Sequence, residues 1–267
     1  MHDTTPADVV TRYERDTWSR CADNYADTFH HLTSQALPLL LRAAGIGAGD
    51  RVLDLGSGPG DGSAILAGAG ATVTGVDFSR PMVEVARRRY PALTFREADA
   101  EELPLDGETF EASVANCVVH HLARPVVVFK EVARVLKRGG RFAFTVWGAP
   151  EEQTSFGVFF AAVQVHHTIE ALPQGPLFGV TDRAIYETML AEAGLGRLQL
   201  FRHDLVWRME TLDPVLRGLW TWGNIAALPP QTQARIEATT RENASAYRRP
   251  DGFAFPHSVL LGVAIKA

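Results

Sequence analysis

The stretch RVLDLGSGPGDGSAILAGAG, residues 51–70, constrains the fold more than any other. A short apolar run ends on an acid, Asp54; Gly56, Gly58 and Gly60 alternate after it, and a helix of small residues follows. Such a loop lets backbone approach a ligand closely. The alternation then repeats along the chain. RVLDLG, TVTGVDFS, LTFREAD, FEASVANCVV and RFAFTVWG read as strands. DGSAILAGAG, RPMVEVARRRY with Pro81 in its first turn, and PVVVFKEVARVLKRGG read as helices. A further helix, TDRAIYETMLAEAGL, opens on a Thr-Asp capping signal, and RLQLFRHDLVWRM and HSVLLGVAIKA finish the set as long strands. Strands separated by helices at this spacing specify an α/β fold with a doubly wound, mostly parallel, seven-stranded sheet.

Three pieces stand outside the alternation. Residues 5–44 carry apolar positions at helical spacing up to a stop at Gly45. Residues 151–180 hold Phe156, Phe159, Phe160 and Phe178, and residues 211–256 hold Trp220, Trp222, Tyr247 and Phe253. The expectation is one domain over residues 1–267, with its core at about 45–150, 181–210 and 257–267. Helical lid insertions at about 5–40, 151–180 and 211–256 would cover the carboxyl edge of the sheet, where open α/β sheets bind ligands. Extra core packing is the alternative for these aromatic segments.

The loop discriminates between ligands. A dinucleotide fingerprint needs G-x-G-x-x-G, whose third glycine lets helix and strand pack beneath a pyrophosphate. From Gly56 and Gly58 that position falls on Asp61; from Gly58 and Gly60 it falls on Ser63. Acids at both ends of the loop, Asp54 and Asp61, would repel phosphate and suit a ligand with an ammonium and a sulfonium. Asp77 ends the second strand about where a carboxylate accepts from ribose hydroxyls, and Asp99 follows the third strand, within reach of an adenine amino group. Three acids at three successive strand ends frame one ligand.

The segments VLDLGSGPG, VTGVDFS, ADAEELPL, VVHHL and EVARVLKRGGRF, in this order over about residues 50–147, resemble the class I S-adenosylmethionine-dependent methyltransferases, in particular the type-11, UbiE-like small-molecule group. The resemblance implies a Rossmann-like sheet and S-adenosyl-L-methionine as cofactor, with S-adenosyl-L-homocysteine as product. It implies that Asp54, Gly56, Ser57, Gly58 and Gly60 hold the methionine end, Asp77 the ribose, and Phe78 and Met82 the adenine. Asp99, Ala100 and Glu101 would meet the adenine edge, and Asn116 would lie under the sulfonium. WSRCADNYADTF resembles the family's cap helix, whose tyrosine, here Tyr25, closes over the cofactor. HHLARP departs from the family, which more usually has a proline and an acid before the second proline.

Methyl transfer from a sulfonium is an in-line displacement, and positioning in a dry site supplies much of its rate. A base is needed only where the acceptor loses a proton, and histidine is the natural one near neutral pH. His120 and His121 follow the fourth strand, and His166 and His167 lie in the first aromatic insertion; these four are the catalytic or substrate-orienting candidates, each against a structural role. His30 and His31 lie beside Tyr25, and His203 falls in mid-strand. Trp18, Phe156, Phe160, Trp220 and Trp222, with Phe159, are the candidates for acceptor contacts, which implies a flat or hydrophobic acceptor of phenol or indole type. Readings kept open beside methyl transfer to O, N or activated carbon are a cyclase or binder that reuses the cofactor pocket, and an NAD-dependent oxidoreductase.

No His, Asp or Glu spacing matches a metal-ligand pattern, so no metal is expected. Cys21 and Cys117 have no paired spacing, and Cys117 in its apolar run reads as a small buried hydrophobe. A net charge of −5 gives no field that gathers nucleic acid. With no apolar stretch of membrane-spanning length and a polar N-terminus, the expectation is a cytoplasmic enzyme of secondary metabolism acting on a small molecule, with neither nucleic acid nor membrane as partner. Oligomeric state is not legible.

Overall fold

In the computed structural model, which describes residues 5–169, 171–222 and 225–267, the apolar run Arg51–Leu55 becomes the central strand β1. Its neighbours are β2 (Thr72–Asp77) and β4 (Phe110–Asn116); β3 (Thr94–Glu97) lies beyond β2, and β5 (Leu136–Trp147) beyond β4. These five are parallel. β6 (Leu195–Met209), β7 (Arg248–Arg249) and β8 (Gly252–Lys266) complete the sheet, with β8 antiparallel between β5 and β6. The order is β3-β2-β1-β4-β5-β8-β6. It reverses direction between β1 and β4, the switch point at which loops diverge and leave a crevice.

Helices α4 (Asp61–Gly68), α5 (Arg80–Arg89), α6 (Pro125–Val135) and α8 (Arg183–Glu192) accompany the sheet. α5 shows why the sequence reads clearly here. Ser79 accepts the Met82 N–H at its N-terminus, and Met82, Val83, Val85 and Ala86 are buried while its arginines face outward. Strand alternation feeds two cores: Leu53, Phe142 and Phe144 pack with Phe129 of α6 and Tyr186 of α8, whereas Val52, Val114 and Ala143 pack toward α3 (Leu37–Ala43) and α4.

The remaining helices, α1 (Pro6–Tyr25), α2 (His30–Thr33), α7 (Thr154–His166), α9 (Asp213–Leu219) and α10 (Pro230–Asn243), gather over the carboxyl ends of the strands. They build a third core with the outer halves of β6 and β8, in which Phe29, Phe159, Trp207, Leu216 and Phe255 are buried. The aromatic insertions are therefore both core and lid: Phe159 is fully buried in that cap core, while Phe156 and Phe160 of the same helix reach a cavity.

Three expectations are corrected. Among the described residues the sheet has eight strands, because the chain after α10 folds back as the two-residue β7 on β8. β8 starts at Gly252, so residues 252–256 belong to the sheet and not to the lid. α6 ends at Val135, not near residue 140: Leu136 is buried opposite Phe110, and the ladder resumes at Arg141 opposite Ala112 after an irregularity that takes up Gly139 and Gly140. Among the described residues, no helix is long and apolar enough to cross a membrane.

Candidate active site

Two cavities meet above the switch point. The first, of about 150 Å³, lies over the glycine loop and the ends of β1, β2 and β4. The second, of about 490 Å³, lies between the cap and the end of β5. Glu14, Trp18, Tyr25, Thr33, Cys117 and His121 line both.

The loop's shape is fixed by backbone. Gly56 has φ +67°, and a Cβ there would come within 2.4 Å of a Val118 methyl, so only glycine fits. Gly58 donates its N–H to Asp77 Oδ2 at 2.9 Å. Asp77 Oδ1 accepts from the Ser79 N–H at 2.8 Å, which fixes the carboxyl at the strand end. Asp54 accepts from Ser63 Oγ at 2.7 Å. Burial pushes both acids up, each to about 6, against the hydrogen bonds that favour their charged forms. Ser57 lines the first cavity, and its Oγ is buried with no partner among the described residues.

Of the residues expected at the cofactor, Tyr25, Asp54, Gly56, Ser57, Gly58, Asp77, Phe78, Met82, Asp99, Ala100, Glu101 and Asn116 all line this cavity. Gly60 does not. Its φ of +92° starts α4, and a Cβ would meet Phe95 and Tyr90 at 2.8 and 2.9 Å, so packing behind the loop explains the glycine. Asp61 also departs from expectation: Arg89 and the Tyr90 hydroxyl hold its carboxylate, and His30 lies 3.6 Å away. Its charge is paired, so anion repulsion at the loop rests on Asp54 and Asp77. Asp99 and Glu101 are paired too, with Arg15 at 3.3 Å and Arg124 at 3.1 Å. Arg15 also sits over the Phe78 ring, 5.6 Å from its centre. Arg124, the departure in HHLARP, joins Glu101 to Asp8 of α1 and so ties the cap helix to the loop before α6.

At the shared wall, Asn116 donates to the Thr33 carbonyl at 3.0 Å and accepts from Thr145 Oγ1 at 2.7 Å. Tyr25 hydroxyl lies 3.0 Å from Thr33 Oγ1, and burial raises its pKa. His121 Nδ1 lies 3.1 Å from Glu14 Oε1, while Glu14 Oε2 accepts the Trp18 indole N–H at 3.0 Å. This contact turns Nδ1 toward Glu14 and leaves Nε2 on the far edge of a ring that lines both cavities. Sequence reasoning missed Glu14. The signal was present: it continues the buried stripe Val10, Thr17, Cys21 of α1 and is itself only 3% exposed. Gln153, Trp147 and Phe178 of the second cavity were likewise not singled out as site residues, having no motif to mark them.

His120 lines the second cavity, as do Trp18, Phe156, Phe160 and Trp222. The structure does not bring His166, His167 or Trp220 there. His166 Nε2 lies 2.8 Å from Thr239 Oγ1 of α10, His167 is exposed just past α7, and Trp220 packs edge-on against Phe159 beside a separate depression. α7 turns Phe156 and Phe160 to the cavity, and His166 falls on another of its faces. His30 lines the first cavity, His31 is exposed, and His203 lies on the edge strand β6. No group of three or more His, Cys, Asp or Glu able to hold a metal occurs among the described residues.

Known proteins resemble this chain in sequence over part of its length and in fold. A demethylmenaquinone methyltransferase of Clavibacter sepedonicus is 40% identical over 112 residues, 41% of this chain and 46% of that protein. The chain spans about half the length of the curated relatives it matches. The crystal structure of the YcgJ protein of Bacillus subtilis superposes with a TM-score of 0.59 at 22% identity, covering 87% of this chain and 98% of that one. The 4+2 cyclase SpnF gives a TM-score of 0.55 at 18% identity, covering 87% and 80%. At these identities the likeness shows the fold alone. Residues 53–144, from β1 into β5, match the model of a methyltransferase domain, the type-11 family. It is over this stretch that the chain is similar to the class I methyltransferases of the type-11 group.

Proposed function

We propose that the protein transfers a methyl group from S-adenosylmethionine to a small, largely apolar acceptor with an aromatic ring. The observation that carries this reading is the single wall, with the Glu14–His121 pair in it, shared by the cavity over the glycine loop and a larger one lined by aromatic rings. Asp54 and the loop would hold the methionine end, Asp77 the ribose hydroxyls, and Phe78 and Met82 the adenine. Ser57 Oγ, unpartnered and buried, fits a polar ligand there. The cofactor supplies an electrophilic methyl carbon and leaves as an uncharged thioether. For an acceptor hydroxyl, one proton is lost for each methyl gained, and His121 takes it at Nε2 while Glu14 holds the opposite ring nitrogen. Trp18 and Tyr25 keep water from the junction. The matched domain ends at residue 144, and most of the second cavity's wall lies outside it, so the quinone implied by the name of the Clavibacter relative is one flat acceptor among several.

The test is incubation of the purified protein with methyl-labelled S-adenosylmethionine and fractionated small metabolites from the source cells, followed by mass spectrometry. A labelled small product is expected. Tight cofactor binding with no label in any fraction would count for a repurposed pocket.

Cofactor affinity should depend on pH with a definite sign. Asp54 and Asp77, both pushed up to about 6, are protonated in part below that pH in the unliganded protein. An ammonium and donating ribose hydroxyls favour the charged forms, so binding releases protons. Between pH 7 and pH 5 the affinity should fall by about tenfold for each carboxyl that must ionise. Calorimetry in buffers of different ionisation enthalpy would register the proton release. Asp77→Asn should weaken binding by about 1.5–3 kcal/mol and remove one carboxyl's share of the dependence; a profile flat from pH 5 to 7 in the wild type would refute the assignment.

A further inference from the structure

We infer that the second cavity takes an uncharged, flat molecule of about three fused rings whose oxygen atoms are read by His120 and Trp222. The inference rests on the proposal that this cavity receives the methyl acceptor, and it names the chemistry of that acceptor.

Size comes first. A cavity that holds one benzene is about 150 Å³, and this one is about 490 Å³, walled by Trp147, Phe156, Phe160, Phe178 and Trp222. Flat faces of this kind favour stacked or edge-on rings.

Charge comes second. Among the described residues that line the cavity there is no lysine or arginine. The one carboxylate among those described residues, Glu14, is engaged on both oxygens, by His121 and by the Trp18 indole. An anionic acceptor would lose its hydration with no counter-charge, and a cation would have to compete with both of those partners.

Unsatisfied polar atoms come third. His120 is 2% exposed, and neither ring nitrogen has a partner among the described residues. Burial holds its pKa well below the ordinary histidine value, so the ring is neutral, with one donor and one acceptor. Trp222 Nε1 is likewise buried and unpartnered, and it can only donate. Both residues line the cavity, and because buried polar groups left without partners are costly, a ligand that brings these nitrogens partners as it fills the cavity is favoured. The Trp222 ring lies 6.0 Å from that of His121, and the His121 ring 4.2 Å from that of His120. The two polar anchors thus both neighbour the proposed base, within the span of one fused-ring molecule. A hydroxyl or carbonyl oxygen accepts from Trp222, and a hydroxyl can both give to and take from His120.

Equilibrium dialysis with three probes of one frame tests this, with and without S-adenosylhomocysteine: phenanthrene, a hydroxyphenanthrene and a phenanthrene carboxylate. The hydroxyl compound is expected to bind at least about tenfold more tightly than the carboxylate, and also more tightly than the bare hydrocarbon. Trp222→Phe and His120→Leu should each cost the hydroxyl compound about tenfold and leave the hydrocarbon within about twofold. His120→Leu should also raise the melting temperature, since it removes two unsatisfied buried atoms, which separates lost recognition from lost folding. The inference is overturned if the carboxylate binds as tightly as the hydroxyl compound, if both variants bind the hydroxyl compound like wild type, or if no probe binds. Methyl transfer need not occur in any arm. Transfer to a charged acceptor would sink this inference and keep the proposed reaction, whereas probe binding as expected, with no cofactor binding, would do the reverse.

Discussion

Replacing His121 by phenylalanine is expected to lower kcat by about 10²–10⁴-fold on an acceptor that must lose a proton, with cofactor affinity nearly unchanged. The ring's place in the wall is kept, because phenylalanine can fill the contacts that His121 makes edge-on with Trp18 at 5.1 Å and tilted with Trp222 at 6.0 Å. What is lost is Nε2, together with the Nδ1 bond to Glu14. Glu14→Gln is the companion variant and separates a positioning role from a structural one. Glutamine keeps the length of the side chain, but its amide cannot accept from both His121 and the Trp18 indole as the carboxylate does. It should lower kcat while changing KM little, whereas a merely structural effect would lower the melting temperature and raise KM together. Steady-state kinetics with calorimetric cofactor titration decides the matter. A His121→Phe enzyme with wild-type kcat would show that proximity alone carries the reaction.

Trp207→Ala should destabilise the protein by about 3–5 kcal/mol, the range for removing a large buried aromatic side chain. Trp207 is 1% exposed, stands opposite Phe255 in the β6–β8 ladder, and lies 5.5 Å from the Phe29 ring beneath the cap. It therefore joins sheet to cap. Urea unfolding should show a lower midpoint, with melting lowered by roughly 6–20 °C at roughly 2–4 °C per kcal/mol. Because the cap roofs both cavities, cofactor and probe affinities should fall as well. A loss under about 1 kcal/mol would mean that the third core contributes little to holding the cap on the sheet.

How much of this was legible follows residue by residue. Asp54, Gly56 and Asp77 were legible because a parallel strand ends in a loop of fixed length, so sequence spacing converts directly into position at the switch point. The limits of α5 were legible from Ser79, Pro81 and the apolar spacing after them. At Gly60 the sequence leaves two roles undivided, since a glycine needed for φ +92° and for packing on Phe95 looks the same in sequence as one needed by a ligand. Asp61 was misread for a related reason: the arginine that neutralises it, Arg89, lies 28 residues away.

The sequence by itself determined the sheet core, its switch point and the loop over it, because these depend on local periodicity and on backbone conformations that glycine and proline dictate. Only the tertiary structure decided which side of each cap helix faces the cavity. It paired Glu14 with His121 across 107 residues, left His120 and Trp222 with unsatisfied atoms, and sent His166 and Trp220 elsewhere. The physical reason is that a helix's facing is set by the partner it packs against, and for the cap those partners are distant segments whose placement no local pattern encodes.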